Sequence, residues 1–156
     1  MEYKNLELIL EQKNNSNSVV LITEEHNFSE LHSAIKEMNF TTNVLIENIN
    51  DICLRYVEAL TSHTELAFAE ALIEQKMLII DNVQYLINRI YTQSALAKIL
   101  KKRKNPTIII LNKELYANNK FIPEIEEIFC EYMAFEFVVN GNFGLLKVFT
   151  QWVILL

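Results

Sequence analysis

The sequence predicts an α/β fold of three layers, in which a doubly wound parallel sheet of about five strands lies between helices. Three observations carry that expectation. Apolar runs of strand length recur at residues 19–23, 42–47, 77–80, 107–111 and 134–139, and the segments between them carry the helical apolar period. Met77 to Ile80 run without polar alternation, as in a strand covered on both faces, and they deliver Asp81 to the edge where open sheets of this kind bind ligands. At 156 residues, 51% hydrophobic and 22% charged, the whole chain reads as one globular domain with a single core.

Taken in order, residues 1–17 hold a short amphipathic helix at 6–12 and a polar Asn/Ser turn. After the 19–23 strand, Asn27 with Glu30 three residues on has the form of a capping box. The helix it opens places Phe28, Leu31, Ala34, Ile35 and Met38 on one side. Asn48 follows the second strand and opens a helix bearing Ile52, Cys53, Tyr56, Val57 and Leu60. Ser62 and Glu65 form a second capping box, for a helix with Leu66, Ala69, Leu72 and Ile73. Beyond the 77–80 strand, a helix over 91–104 buries Leu96, Ile99 and Leu100 and is closed by Asn105 and Pro106. Thr107 to Leu111 is rich in β-branched residues, as strands are. Pro123 suits the first turn of a helix running to Cys130, and the last strand ends at a turn over 140–144.

The segment 144–156 is apolar apart from Lys147 and a few neutral polar residues. Helical spacing puts Leu145, Phe149, Trp152 and Leu156 on one side. Such a surface has to be covered, either within the chain as an extra element over the sheet or as the interface of a homodimer.

Composition narrows the function classes. The net charge of −6 argues against a general nucleic-acid coat, while leaving room for a local basic patch. Cys53 and Cys130 sit in apolar helical patterns away from any metal-ligand spacing, so they read as reduced core residues. No apolar run reaches the roughly 18 residues of a membrane span, and no signal peptide is evident, so the expected location is the cytoplasm. Both glycines, Gly141 and Gly144, lie late in the chain, and the first 140 residues have none. A phosphate-cradling loop needs glycine for positive φ and for close backbone approach, so neither GxxxxGK[ST] nor GxGxxG can be present.

The residues also carry a resemblance. The stretch LIIDNVQYLINRIYTQSALAKIL, from Leu78, resembles the Walker B region of the bacterial replication initiator DnaA and its Hda-like AAA+ relatives: an apolar strand, an acidic pair, an aliphatic-Gln-aromatic-Leu turn, and a Thr-Gln opening the next helix. TIIILNKELY is similar to the sensor-1 strand that follows it in the family, NVLIENINDICLRYVEAL to the second strand and helix, and NSVVLITEEHNFSELHSAI to the nucleotide-binding strand, loop and helix. The likeness covers roughly residues 15–140. It implies the core subdomain of a P-loop nucleotidase, without the lid subdomain or the DNA-binding helices.

The departures fall on the catalytic positions. Where the family has Gly-Lys-Thr, this chain has Thr23, Glu24, Glu25, His26 and Asn27, whose carboxylates would repel a triphosphate. The second Walker B acid is Asn82, which cannot accept a proton, and the arginine-finger region falls on Phe129 to Tyr132 without an arginine. Asp81 and Asn82 are therefore a remnant, and Asp81 is expected to cap the turn that follows. The resemblance implies a non-catalytic AAA+ core domain, with no cofactor and no metal, acting as a protein-binding or regulatory factor in replication initiation. Its partner would be a replication protein.

A second reading belongs to another class: a receiver-like or flavodoxin-like signalling domain or small enzyme using Glu24, Glu25 and Asp81, with Lys113 after the fourth strand. Strand order separates the two. A strand inserted between the first and third favours the nucleotidase core; direct adjacency favours the receiver. A triad of Asp81, His26 and Ser29 at the sheet edge is a weaker candidate still. Finally, Lys98, Lys101, Lys102, Arg103 and Lys104 form the densest basic run, a solvated helix end or a weak contact for nucleic acid or an acidic partner.

Overall fold

The computed structural model describes residues 2–4, 18–38, 43–114 and 121–148. Their strands are β1 (Glu2–Lys4), β2 (Val19–Thr23), β3 (Val44–Asn48), β4 (Met77–Asp81), β5 (Thr107–Asn112), β6 (Met133–Asn140) and β7 (Phe143–Val148). The helices are α1 (Phe28–Glu37), α2 (Ile49–Ser62), α3 (Glu65–Ile73), α4 (Ile90–Lys102) and α5 (Pro123–Glu131). The strands form one sheet in the order β1-β7-β6-β2-β5-β4-β3. β6, β2, β5, β4 and β3 are mutually parallel, β7 is antiparallel to β6, and β1 is parallel to β7.

The five expected strands are thus the parallel part of the sheet. β5 stands between β2 and β4, with Leu21 opposite Ile110 and Ile79 opposite Ile108. This insertion corrects the receiver-like alternative, which requires the strands of Glu24–Glu25 and Asp81 to be neighbours. Their ends lie two strand spacings apart, about 10 Å.

Alternation along the strands divides the core in two, because successive side chains point to opposite faces. Val19 and Leu21 of β2, Ile79 of β4, Ile108 and Ile110 of β5 and Phe137 of β6 pack beneath Leu31, Ala34 and Ile35 of α1 and Met38 just after it. On the other face Val20, Ile22, Leu78, Ile80, Ile109 and Leu111 meet Ile52, Leu72, Leu96, Leu100, Ile125 and Phe129 from α2 to α5. Full burial of each such Leu, Ile or Phe contributes roughly 1.5–3 kcal/mol before ordering costs. Cys53 is buried in this second cluster and Cys130 packs against it.

The helix boundaries repeat part of the sequence reading and correct part of it. Asn48 caps α2, its side chain accepting the N–H of Asn50 at 2.9 Å. Neither expected capping box is made: Asn27 caps no backbone group with its side chain, and α2 runs through Ser62, so that Thr64 precedes α3. The chain leaves α2 through His63 in the left-handed region, φ 58°. The helical spacing noted within 144–156 does not describe its first residues, which form strand β7. Gly141, with φ +60°, makes the tight β6–β7 turn that a side chain would strain. Leu146 points into the α1 layer and Leu145 is half-buried; Phe149, Trp152 and Leu156, like the expected helix at 6–12, lie outside the described residues. β1 occupies a stretch where no strand was expected.

Candidate functional site

The candidate site is the C-terminal edge of the parallel strands, where β2 and β4 present the residues singled out above. The connection from β2 to α1 consists of Glu24 and a single 3-10 turn, Glu25–Asn27. Within it the Asn27 N–H donates to the Glu24 carbonyl at 2.9 Å, and the Phe28 N–H donates to Glu25. These N–H groups are consumed by the turn, and Glu24 and Glu25 stand exposed on it. Thr23, fully buried, ties the strand end sideways by donating its hydroxyl to the Phe137 carbonyl at 2.9 Å.

At the end of β4, Asp81 is held from two sides. Its Oδ1 accepts the Asn82 N–H at 2.8 Å, and its Oδ2 lies 2.8 Å from Nε2 of His32 on α1, off the direction of a ring N–H. Asn82 adopts φ 58°, a left-handed conformation that asparagine tolerates better than most residues. Its carbonyl then accepts the Tyr85 N–H at 3.0 Å, closing the 3-10 turn Val83–Leu86. The departure from an acidic pair at position 82 thus has a backbone role. Asp81 anchors this turn as the sequence suggested, with His32 as an additional partner.

The expected Asp81, His26 and Ser29 arrangement is not formed. His26 lies 3.5 Å from Glu24 on the exposed turn, and His32 takes the place beside Asp81. A His–Asp pair can orient a nucleophile, but among the described residues no hydroxyl or thiol is hydrogen-bonded to His32. Lys113 is engaged with Glu136 of β6 at 3.1 Å, not with Asp81. Among the described residues no group of three or more His, Cys, Asp or Glu side chains could hold a metal ion.

His32 was legible in principle, one helical turn before Ile35 and beside Leu31 on the inward side of α1. Gln93 was not singled out either, and it is the best-satisfied polar side chain of this edge. Fully buried, its amide nitrogen donates to Leu86 and Ile87 at 2.8 and 2.9 Å, and its oxygen accepts the Ile122 N–H at 2.8 Å. It clamps the turn after β4, α4 and the start of α5 together, which gives the Thr-Gln opening of α4 a structural meaning.

The basic run separates into two kinds of residue. Lys98, Lys101, Lys102 and Lys104 are exposed, and no ion pair among the described residues involves them. Arg103 turns inward, which corrects its assignment as a contact residue. Its guanidinium donates to the carbonyls of Leu72, Ile73, Gln75, Asn105 and Pro106, and Nε donates to the Thr107 hydroxyl at 2.7 Å. Burial lowers its pKa, countered by the charge interaction with Tyr132. Tyr132 is pushed up, chiefly by burial and against hydrogen bonds to Ser18 and Thr107. This network lies at the N-terminal edge of the strands, opposite the candidate site, and braces the end of α3 against β5.

No protein-family model and no curated protein sequence matches the chain. Solved structures do. Domain III of the Thermotoga maritima replication initiation protein DnaA is similar with a TM-score of 0.65 and 15% identity, over 83% of this chain and 58% of that one. AMPPCP-bound DnaA from Aquifex aeolicus gives 0.67 and 16%, over 83% of this chain and 42% of that one. Replication initiator DnaA bound to AMPPCP and single-stranded DNA gives 0.64 and 16%, over 79% and 41%. The chain therefore matches between 41% and 58% of the length of these structures. No helix among the described residues is long and apolar enough to cross a membrane. At such low identity the likeness speaks for architecture alone, and the architecture is a DnaA-like AAA+ core fold.

Proposed function

We propose that the chain is a non-catalytic DnaA-like AAA+ core that works in the cytoplasm as a protein-binding regulatory factor of replication initiation, neither binding nor hydrolysing ATP. The observation that carries this reading is the β2–α1 connection. Glu24 and one 3-10 turn replace a phosphate loop, the N–H groups of Asn27 and Phe28 are already bonded, and two carboxylates stand where a triphosphate would bring more negative charge. Further support comes from Asp81, whose Oδ1 accepts the Asn82 N–H and whose Oδ2 lies against His32, and from Asn82, whose amide cannot serve as a base.

Calorimetric titration with Mg·ATP is expected to give no heat of binding. A micromolar dissociation constant would overturn the reading. The structure of a DnaA bound to single-stranded DNA favours a second, lesser role: weak, salt-sensitive nucleic-acid binding through Lys98, Lys101, Lys102 and Lys104. Binding that survives replacement of Lys101, Lys102 and Lys104 by Glu would remove these residues from that role.

A further inference from the structure

A groove runs between two walls of the helix layer. α2 and α3 form one wall and α4 with the turn before it forms the other; the groove consists of adjoining cavities of about 830 and 360 Å³ that share Tyr56 and Tyr91. Val57 and Leu60, expected in the core from their helical spacing, are exposed here together with Leu54, Ile90 and Tyr91, the last at 86%. Half of the ten large hydrophobic side chains exposed among the described residues thus gather along one groove, whereas singly scattered ones would need no explanation.

The walls carry opposite charge. Arg89, Lys98 and Lys102 line the α4 side, and α4 itself contains no acid; Asp51 and Glu65 line the other side. None of the ion pairs among the described residues joins the two walls. Such a surface is complementary to itself under one particular symmetry. A two-fold axis running along the groove sets the basic wall of one copy against the acidic wall of the other, while an axis running across it sets like charge on like.

We propose that this groove is a two-fold interface with a second copy of the chain, its axis along the groove. Lys98 and Lys102 of each copy then face Glu65 of the other, Arg89 faces Asp51, and Tyr91 lies against Leu54 and Val57 across the axis. An isologous contact of this kind closes on itself and leaves no free end for filament growth. Covering the apolar side chains drives association; the charges select the orientation, since exposed pairs contribute little individually while like charges placed face to face repel. The inference rests on the reading of the chain as a docking module. It fails separately from that reading, because the ATP titration does not depend on association.

Sedimentation velocity on the full chain tests it. The parent is expected to pass from one to two copies as concentration rises into the micromolar range. Lys98→Glu with Lys102→Glu, and separately Asp51→Lys with Glu65→Lys, should each weaken the dimer at least about tenfold with the helical circular dichroism unchanged. Mixing the two charge-reversed proteins should restore a dimer containing one of each. Leu54→Asp provides an independent disruption should either double variant fold poorly. A parent that stays monomeric at about 100 μM overturns the proposal, as would a monomeric parent that captures an acidic peptide in the groove. Charge-reversed proteins that keep the parent's mass, or that fail to pair when mixed, also overturn it.

Discussion

The two edges of the parallel sheet are built from similar polar residues and differ in what those residues hold. At the N-terminal edge, Arg103 gathers five carbonyls and a hydroxyl, joining α3, the Asn105–Pro106 loop and the start of β5. At the C-terminal edge, Asp81 holds one neighbouring N–H and touches one histidine, and among the described residues the hydrogen bonds of the β2–α1 turn stay within the turn and the start of α1. In open α/β sheets the C-terminal edge is where ligands bind. Here the residues that face the ligand position, Glu24, Glu25 and Asp81, make only local contacts, while the Gln93 clamp and the Lys113–Glu136 pair lie beside them, and the densest single network sits on the opposite edge. A fold of this kind can therefore keep its Arg103 brace while the side chains facing the ligand position change, because the two are physically separate.

The comparison is most sharply tested at Arg103. Arg103→Met keeps much of the side-chain volume but leaves several carbonyls of a half-buried site without a donor, and should cost about 2–3 kcal/mol in urea unfolding. Asp81→Asn keeps an acceptor for the Asn82 N–H and loses only the charge beside His32, so its cost should stay below about 1 kcal/mol. Equal losses for the two variants would erase the distinction between the two edges.

The smallest effect concerns Glu126 on α5, whose carboxylate accepts the Phe121 N–H at 3.2 Å near the start of that helix. Burial raises its pKa above 4.5, outweighing the lowering by that hydrogen bond. In acid both folded and unfolded chains hold the proton. As pH rises past the unfolded value the unfolded chain ionises first, and stability falls until the folded group ionises too. Glu126→Gln should therefore stabilise the protein at neutral pH, by no more than about 0.5 kcal/mol, with the gain vanishing below that window. A gain that persists unchanged into acid would show that ionisation is not its source.

Much of this was legible in the chain, and the physical reasons differ by element. Val19–Thr23, Met77–Asp81 and Thr107–Asn112 announced themselves because strands covered on both faces need uninterrupted apolar runs, and helices with one buried side need the 3.6-residue period. The absence of a glycine-rich phosphate-loop motif was equally plain, since residues 1–140 hold no glycine. β7 was not assigned from the sequence because a short, almost wholly apolar segment satisfies both periods, and only pairing with β6 decides between them. α2 was misread in its burial: its apolar stripe is wider than the core it covers, so Val57 and Leu60 look interior in sequence and are exposed in the fold.

The chain by itself determined the kind of each parallel strand and most helices, and the absence of a glycine-rich phosphate-loop motif from residues 1–140. These follow from local period and from the conformational limits of single residues. Tertiary structure alone decided that β5 lies between β2 and β4, that Arg103 turns inward while the lysines beside it stay in water, that His32 rather than His26 meets Asp81, and that Gln93 clamps three segments. Each of those depends on which groups distant in sequence come within about 3 Å of one another, and residue spacing along the chain carries no record of that.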